Sequence, residues 1–187
     1  HRSQYDFIDG SLACINAENA VKNIIDFINE NPKLNVYYSC DWHSENNKSF
    51  KRHGGIWPDH CVQNKRGSEI HKDFYSKIKK KKNRPNPNNI FYKGQDDEVE
   101  EYSAFEAKNA KGQVLKDVVN QIILVCGIAS EYCCRETALE FHKAGKDVEF
   151  LSDKVAYVNK DDHEKNLADL KNSITVLVIA YHTVVTV

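Results

Sequence analysis

Residues 121–134 read Gln121-Ile122-Ile123-Leu124-Val125-Cys126-Gly127-Ile128-Ala129-Ser130-Glu131-Tyr132-Cys133-Cys134, and they decide the fold. Ile122–Cys126 is an unbroken apolar run, the pattern of a strand covered on both faces. A helix is predicted directly after it, over Glu131–Ala144, with Gly145 as its C-terminal cap. Working outward, Val148–Leu151 reads as a strand, Asp161–Lys171 as a helix and Ile174–Val185 as a long final strand. Upstream, Asn16 is placed to cap a helix from Ala17 to about Glu30. There Val21, Ile24, Ile25 and Ile28 share one face, and Pro32 follows the end. Residues 34–40 and Ile90–Lys93 are rich in β-formers. A short helix over Ser68–Ile78 is expected from Ile70, Phe74 and Ile78, and a weak one up to about Val119. Strands alternating with helices imply an α/β fold: a mostly parallel sheet with right-handed crossovers, in three α/β/α layers. Ligand sites in such folds lie beyond the carboxyl ends of the strands.

The 187 residues fit a single domain spanning 1–187, large enough for a substantial core. With 26 Lys+Arg against 27 Asp+Glu, the formal charge is −1, so no field exists to attract nucleic acid or an anionic membrane. The basic run Lys79–Lys82 accordingly reads as a solvated loop. No apolar run approaches the roughly 20 residues that cross a bilayer. His1-Arg2-Ser3-Gln4 has no apolar core of a secretory signal. The six cysteines are therefore expected to be reduced thiols, in the cytoplasm or alternatively the nucleus. Met is absent, so the native start is expected to lie outside this sequence.

Three features fall just past strand ends. Asp41 and His43 follow the strand over 34–40, and His60 comes later in the same long loop. One carboxylate and two imidazoles suit Zn, Fe or Mn, with positions left for water or substrate. Lys93 closes an apolar strand, where an ammonium needs a partner. Cys133 and Cys134 stand at the start of a helix, where the dipole favours a thiolate and backbone N–H groups can hold an oxyanion. Of two adjacent cysteines, one is expected to pack and one to react.

Taken together, these stretches resemble the nicotinamidases, within the isochorismatase-like cysteine hydrolases. The residues that carry the resemblance are Gln4-Tyr5-Asp6-Phe7-Ile8-Asp9-Gly10-Ser11-Leu12, Asp41-Trp42-His43 with Ser49-Phe50, and Trp57-Pro58-Asp59-His60-Cys61-Val62-Gln63. They continue with Lys93-Gly94, Tyr102-Ser103-Ala104-Phe105 and Gly127–Cys133. The resemblance implies the isochorismatase-like hydrolase fold and hydrolysis of nicotinamide to nicotinate and ammonia through a cysteine thioester, in NAD salvage. It implies Cys133 as nucleophile, Cys134 as packing and Lys93 as the catalytic lysine. The N–H groups of Ala129 and Cys133 would form the oxyanion hole, with a cis peptide at Ile128–Ala129. Asp41, His43 and His60 match the ligands of one divalent metal, zinc before iron or manganese, that holds the pyridine nitrogen. Ser49 stands where some relatives carry a further His. Phe7, Trp57 and Tyr102 match the aromatic walls around the ring. The implied partner is a small molecule, and relatives often form homo-oligomers.

One departure stands out. The family's general-base Asp lies two residues before the Gln of its first motif, which here is Arg2, and the apolar strand before it is not in the chain. A gap in the sheet is therefore expected, with slow turnover or none. Asp6, four residues further on, is poorly placed to substitute. Two alternatives stay open: a sister cysteine hydrolase acting on another small amide, or a metal- and pyridine-binding homologue impaired in catalysis. A closed structural zinc site would call for paired CxxC motifs, and none is present.

Overall fold

A computed structural model describes residues 3–177. Five strands, β1 (Tyr38–Asp41), β2 (Ile90–Lys93), β3 (Ile122–Ile128), β4 (Asp147–Ala156) and β5 (Thr175–Leu177), are flanked by helices. The helices are α1 (Ala17–Glu30), α2 (Asp73–Ser76), α3 (Leu115–Val118), α4 (Arg135–Lys143) and α5 (Lys160–Leu170). Every strand pairing is parallel: β1 with β2, β3 with β4, and β4 with β5. Among the described residues no ladder joins β1 to β3, so the expected gap falls there. A cavity lies at this place, lined by Val36 and Tyr37 beside β1, Ile123 and Leu124 of β3, Ile24 of α1 and Phe141 of α4.

Two cores sandwich the strands. On one side α1 buries Val21, Ile24, Ile25 and Ile28, the face set by their spacing, together with Tyr38, Cys40 and Cys126. On the other, α4 brings Ala138 and Phe141 against Phe91, Val148 and Phe150. Burial pushes the Cys126 thiol up to about 12, which leaves it protonated and inert.

Several local expectations are corrected. Helix α1 has the expected bounds, but Asn16 adopts φ 70° and makes no side-chain cap. Its amide donates instead to the Val155 carbonyl, a tertiary bond that outcompetes the local one. Of the helix expected over Ser68–Ile78, the turn α2 forms. Ile70 is drawn into an antiparallel bridge with Gln4, yet Ile70, Phe74 and Ile78 are all buried. Strand β4 is longer than expected, because its register shifts between Val125 and Gly127 and pairing resumes at Val155 and Ala156. The first strand is shorter, beginning at Tyr38. Of the final strand expected over Ile174–Val185, Thr175–Leu177 is present, Ile174 is a bend before it, and residues 178–185 lie outside the described residues, as does Arg2. The side chains of Lys79–Lys82 are exposed, as a solvated loop requires.

Candidate active site

β1 and β2 end side by side, with Asp41 in register with Lys93. The sheet thus places a carboxylate beside an ammonium at its carboxyl edge. Both side chains are buried, and Lys93 Nζ donates to Asp41 Oδ1 at 2.8 Å. A second acceptor is the Glu101 carbonyl oxygen at 2.6 Å, and Cys133 Sγ lies 3.9 Å away. An ammonium removed from water with two oxygen acceptors is fully accommodated, which is why it can close an apolar strand.

The other oxygen of Asp41 faces the imidazoles. Its Oδ2 is 3.5 Å from His43 Nε2 and 3.8 Å from His60 Nε2. Each ring is held from behind: His43 Nδ1 donates to the Gly94 carbonyl at 2.7 Å, and His60 Nδ1 to the Pro58 carbonyl at 2.8 Å. These bonds place the proton on Nδ1, so both Nε2 lone pairs face the carboxylate. Three buried electron-pair donors therefore converge, with ligand atoms within 4.8 Å of one another. Such a set repels itself unless a cation sits between its members. Tetrahedral zinc bonds of roughly 2.1 Å would separate its ligands by about 3.4 Å, close to the spacings found. The residues fit a divalent metal.

Support for this corner comes from Gln4, which the sequence marks as the Gln of the first motif without giving it a role. Its side chain accepts from Asp41 N–H and donates to the Asp41 and Ser68 carbonyls, each at 2.8 Å. Gly94, with φ 69°, lets the chain pass against His43, where a Cβ would fall 2.5 Å from the ring. The Gly94 N–H is held by Glu101 Oε2 at 2.8 Å.

After β3 the chain turns through a cis peptide at Ile128–Ala129 and a single π-helical turn over Ser130–Cys134 before α4 begins. The helix thus starts four residues later than expected, and Cys133 sits in the wide turn ahead of it. Tyr132 N–H and Cys134 N–H both fold back on the Ala129 carbonyl. Cys134 packs into the apolar core with Ala138 and Phe141, whereas Cys133 faces Lys93.

Beside these groups lies a cavity whose lining includes Phe7, Trp57, Tyr102, Ala129, Asp41 and the two imidazoles, with Lys93 and Cys133 buried outside its lining. Trp57 Nε1 donates both to Glu100 Oε1 at 2.8 Å and to Tyr102 Oη at 3.0 Å, fixing the indole plane. Burial, reinforced by the Glu100 carboxylate, holds the Tyr102 phenol above its ordinary range. Tyr132 adds a fourth ring, edge-on to Trp57 at 4.9 Å. It stands in the quoted motif but has no periodicity that marks it as a wall. Ser49 also lines the cavity. Asp6 does not reach the thiol region: its carboxylate accepts from Ser11 N–H and Cys61 N–H, tying two loops together.

Comparison with known proteins places the chain among relatives. The isochorismatase-domain family profile matches residues 3–180. The nicotinamidase of Escherichia coli (strain K12) is 30% identical over 144 residues, covering 66% of this chain and 64% of that protein, just under two thirds of its length. The crystal structure of the pyrazinamidase of Pyrococcus horikoshii in complex with zinc superposes with a TM-score of 0.79 at 29% identity, covering 95% of this chain and 96% of that one. PnC1 from L. infantum, solved in complex with nicotinate, gives 0.70 at 29% identity, over 94% and 88%. The chain belongs to the isochorismatase family.

Proposed function

We propose that this protein is a nicotinamidase, a cysteine amidohydrolase that converts nicotinamide to nicotinate and ammonia. The observation that carries the reading is the continuous run from the metal-type corner through Asp41 and Lys93 to Cys133, roofed by flat aromatic rings. Flat apolar walls with one polar anchor suit a pyridine carboxamide. Nicotinate bound to the L. infantum relative, and zinc bound to the P. horikoshii one, support the same assignment.

A divalent ion, zinc before iron or manganese, held by Asp41, His43 and His60 would supply a Lewis-acid anchor for the ring nitrogen. Cys133, beside the Lys93 ammonium, attacks the carboxamide carbon as the thiolate. The N–H groups of Ala129 and Cys133 receive the developing oxyanion. The C–N bond breaks, ammonia leaves with the proton given up by the thiol, and a nicotinoyl thioester remains. Water then adds to the thioester, returning the thiol and releasing nicotinate. Phe7, Trp57 and Tyr102 hold the ring during both steps. The role is NAD salvage in the cytoplasm.

Ammonia release from nicotinamide, with zinc, manganese or iron supplied, tests the assignment. Slow turnover is expected from the chain, in which Arg2 stands at the general-base position, and none from Cys133→Ala. Nicotinamide binding without turnover would overturn it in favour of a catalytically impaired homologue. Hydrolysis of another small amide in place of nicotinamide would make the protein a sister hydrolase.

A further inference from the structure

The turn that carries Cys133 is held from behind by α5. His163 Nδ1 lies 2.7 Å from the Ser130 hydroxyl, and the Asn166 amide donates to the Ser130 carbonyl at 3.0 Å and to its hydroxyl at 3.2 Å. Ser130 is completely buried, and His163 and Asn166 nearly so. Arg135, at the start of α4, donates to Asn166 Oδ1 at 2.9 Å and orients that amide. Tyr157 stacks flat on the His163 ring, with centroids 4.3 Å apart and planes 9° apart. Next door, Glu131 Oε1 accepts from Val158 N–H at 2.7 Å and Asn159 N–H at 2.8 Å, the residues that lead into α5. Of the two side chains against the buried hydroxyl, Asn166 presents its N–H and turns its oxygen to Arg135, so the group placed to accept the hydroxyl proton is Nδ1 of a neutral imidazole with its own proton on Nε2.

We propose that His163 is a positioning residue for the nucleophile turn: by accepting the Ser130 hydroxyl proton it fixes the wide turn that aims Cys133 at Lys93 and at the bound substrate. None of these α5 side chains lines the aromatic cavity, so the effect passes through Ser130. A π-helical turn is rare as a local structure, and this one is tied to α5 through Ser130. Small displacements of oxyanion donors and nucleophile weaken transition-state contacts more than ground-state binding. The inference rests on the amidohydrolase reading for its kinetic consequence, but not for its effect on the thiol itself.

The test compares His163→Leu, which loses the acceptor, with His163→Asn, whose amide oxygen can accept the same proton. Two readouts are taken: kinetics on nicotinamide, and the rate of Cys133 alkylation by iodoacetamide, read on the Cys133 peptide by mass spectrometry. His163→Leu is expected to lower kcat at least about tenfold with KM within about twofold, and to change the Cys133 alkylation rate. His163→Asn is expected to restore both. Ser130→Ala, which leaves the His163–Tyr157 stack in place, should reproduce the Leu phenotype, and combining the two should add little. Equal defects in the Leu and Asn variants would mean a merely structural role and overturn the proposal, as would unchanged behaviour of both. If the parent chain does not hydrolyse nicotinamide, the functional assignment fails while the alkylation comparison still decides this one.

Discussion

Lys93 and Asp41 end adjacent parallel strands in register, and their buried side chains meet at 2.8 Å. One oxygen of Asp41 neutralises the lysine and the other faces His43 and His60, so a single carboxylate joins the metal-type corner to the thiol.

Removing the lysine should therefore be costly in two ways. Lys93→Met leaves the Asp41 charge buried beside an apolar stem, at a cost of about 3–5 kcal/mol. Urea denaturation should show that loss, together with loss of amidohydrolase activity. Lys93→Met combined with Asp41→Asn should recover part of the stability but none of the activity. A Lys93→Met chain as stable as the parent would show that the pair is not desolvated in solution.

Gly94 gives a prediction about metal affinity without touching a ligand. At φ 69° an alanine is strained by roughly 1 kcal/mol, and its Cβ would fall 2.5 Å from His43 Cε1 and 2.8 Å from Nδ1. The ring must rotate away from the Gly94 carbonyl that holds its tautomer. Gly94→Ala should weaken zinc binding about tenfold or more in a competition titration against a chelating dye. Unchanged affinity would mean that His43 is not held in its ligating orientation by this contact.

Trp57 is fixed by its indole N–H, shared between Glu100 and Tyr102. Trp57→Phe keeps an aromatic wall but releases its plane. KM for nicotinamide should rise about 3–10-fold with a smaller change in kcat, as for loss of uniform binding. Steady-state ammonia release measures both, and an unchanged KM would remove Trp57 from the ring site.

Acid stability should depend on His163. Burial lowers its pKa, opposed by the nearby Glu131 and Glu164 carboxylates. The unfolded chain thus binds the proton more readily than the folded one. The stabilisation is complete above the ordinary histidine value of about 6.5 and is lost as pH falls from there towards the folded value. The melting temperature of His163→Asn should fall less between pH 7.5 and pH 5 than that of the parent. An identical fall in both would place the acid sensitivity elsewhere.

Much of the site was legible because its chemistry is local. Asp41-Trp42-His43 and Lys93 sit at strand ends and Cys133 in the turn after β3, where a parallel sheet gathers side chains from distant parts of the chain. The partners that hold them were not legible. Gln4 reaches Asp41 across 37 residues and His163 reaches Ser130 across 33, with no spacing that announces either contact. The choice between Cys133 and Cys134 rested on resemblance, and the structure separates them by direction, one towards Lys93 and one into the core.

By itself the sequence determined the alternation of strands and helices, the buried face of α1 and the strand ends near which the candidate site residues stand, because these follow from apolar periodicity and chain order. Tertiary structure decided the rest. It turned Asn16 from a helix cap into a link to β4, shortened the expected helix around Ile70, Phe74 and Ile78, and opened a π-helical turn at Cys133. In each case a long-range bond or packing contact outweighs a local preference of about 1 kcal/mol or less, and no local pattern records a partner 30 or more residues away.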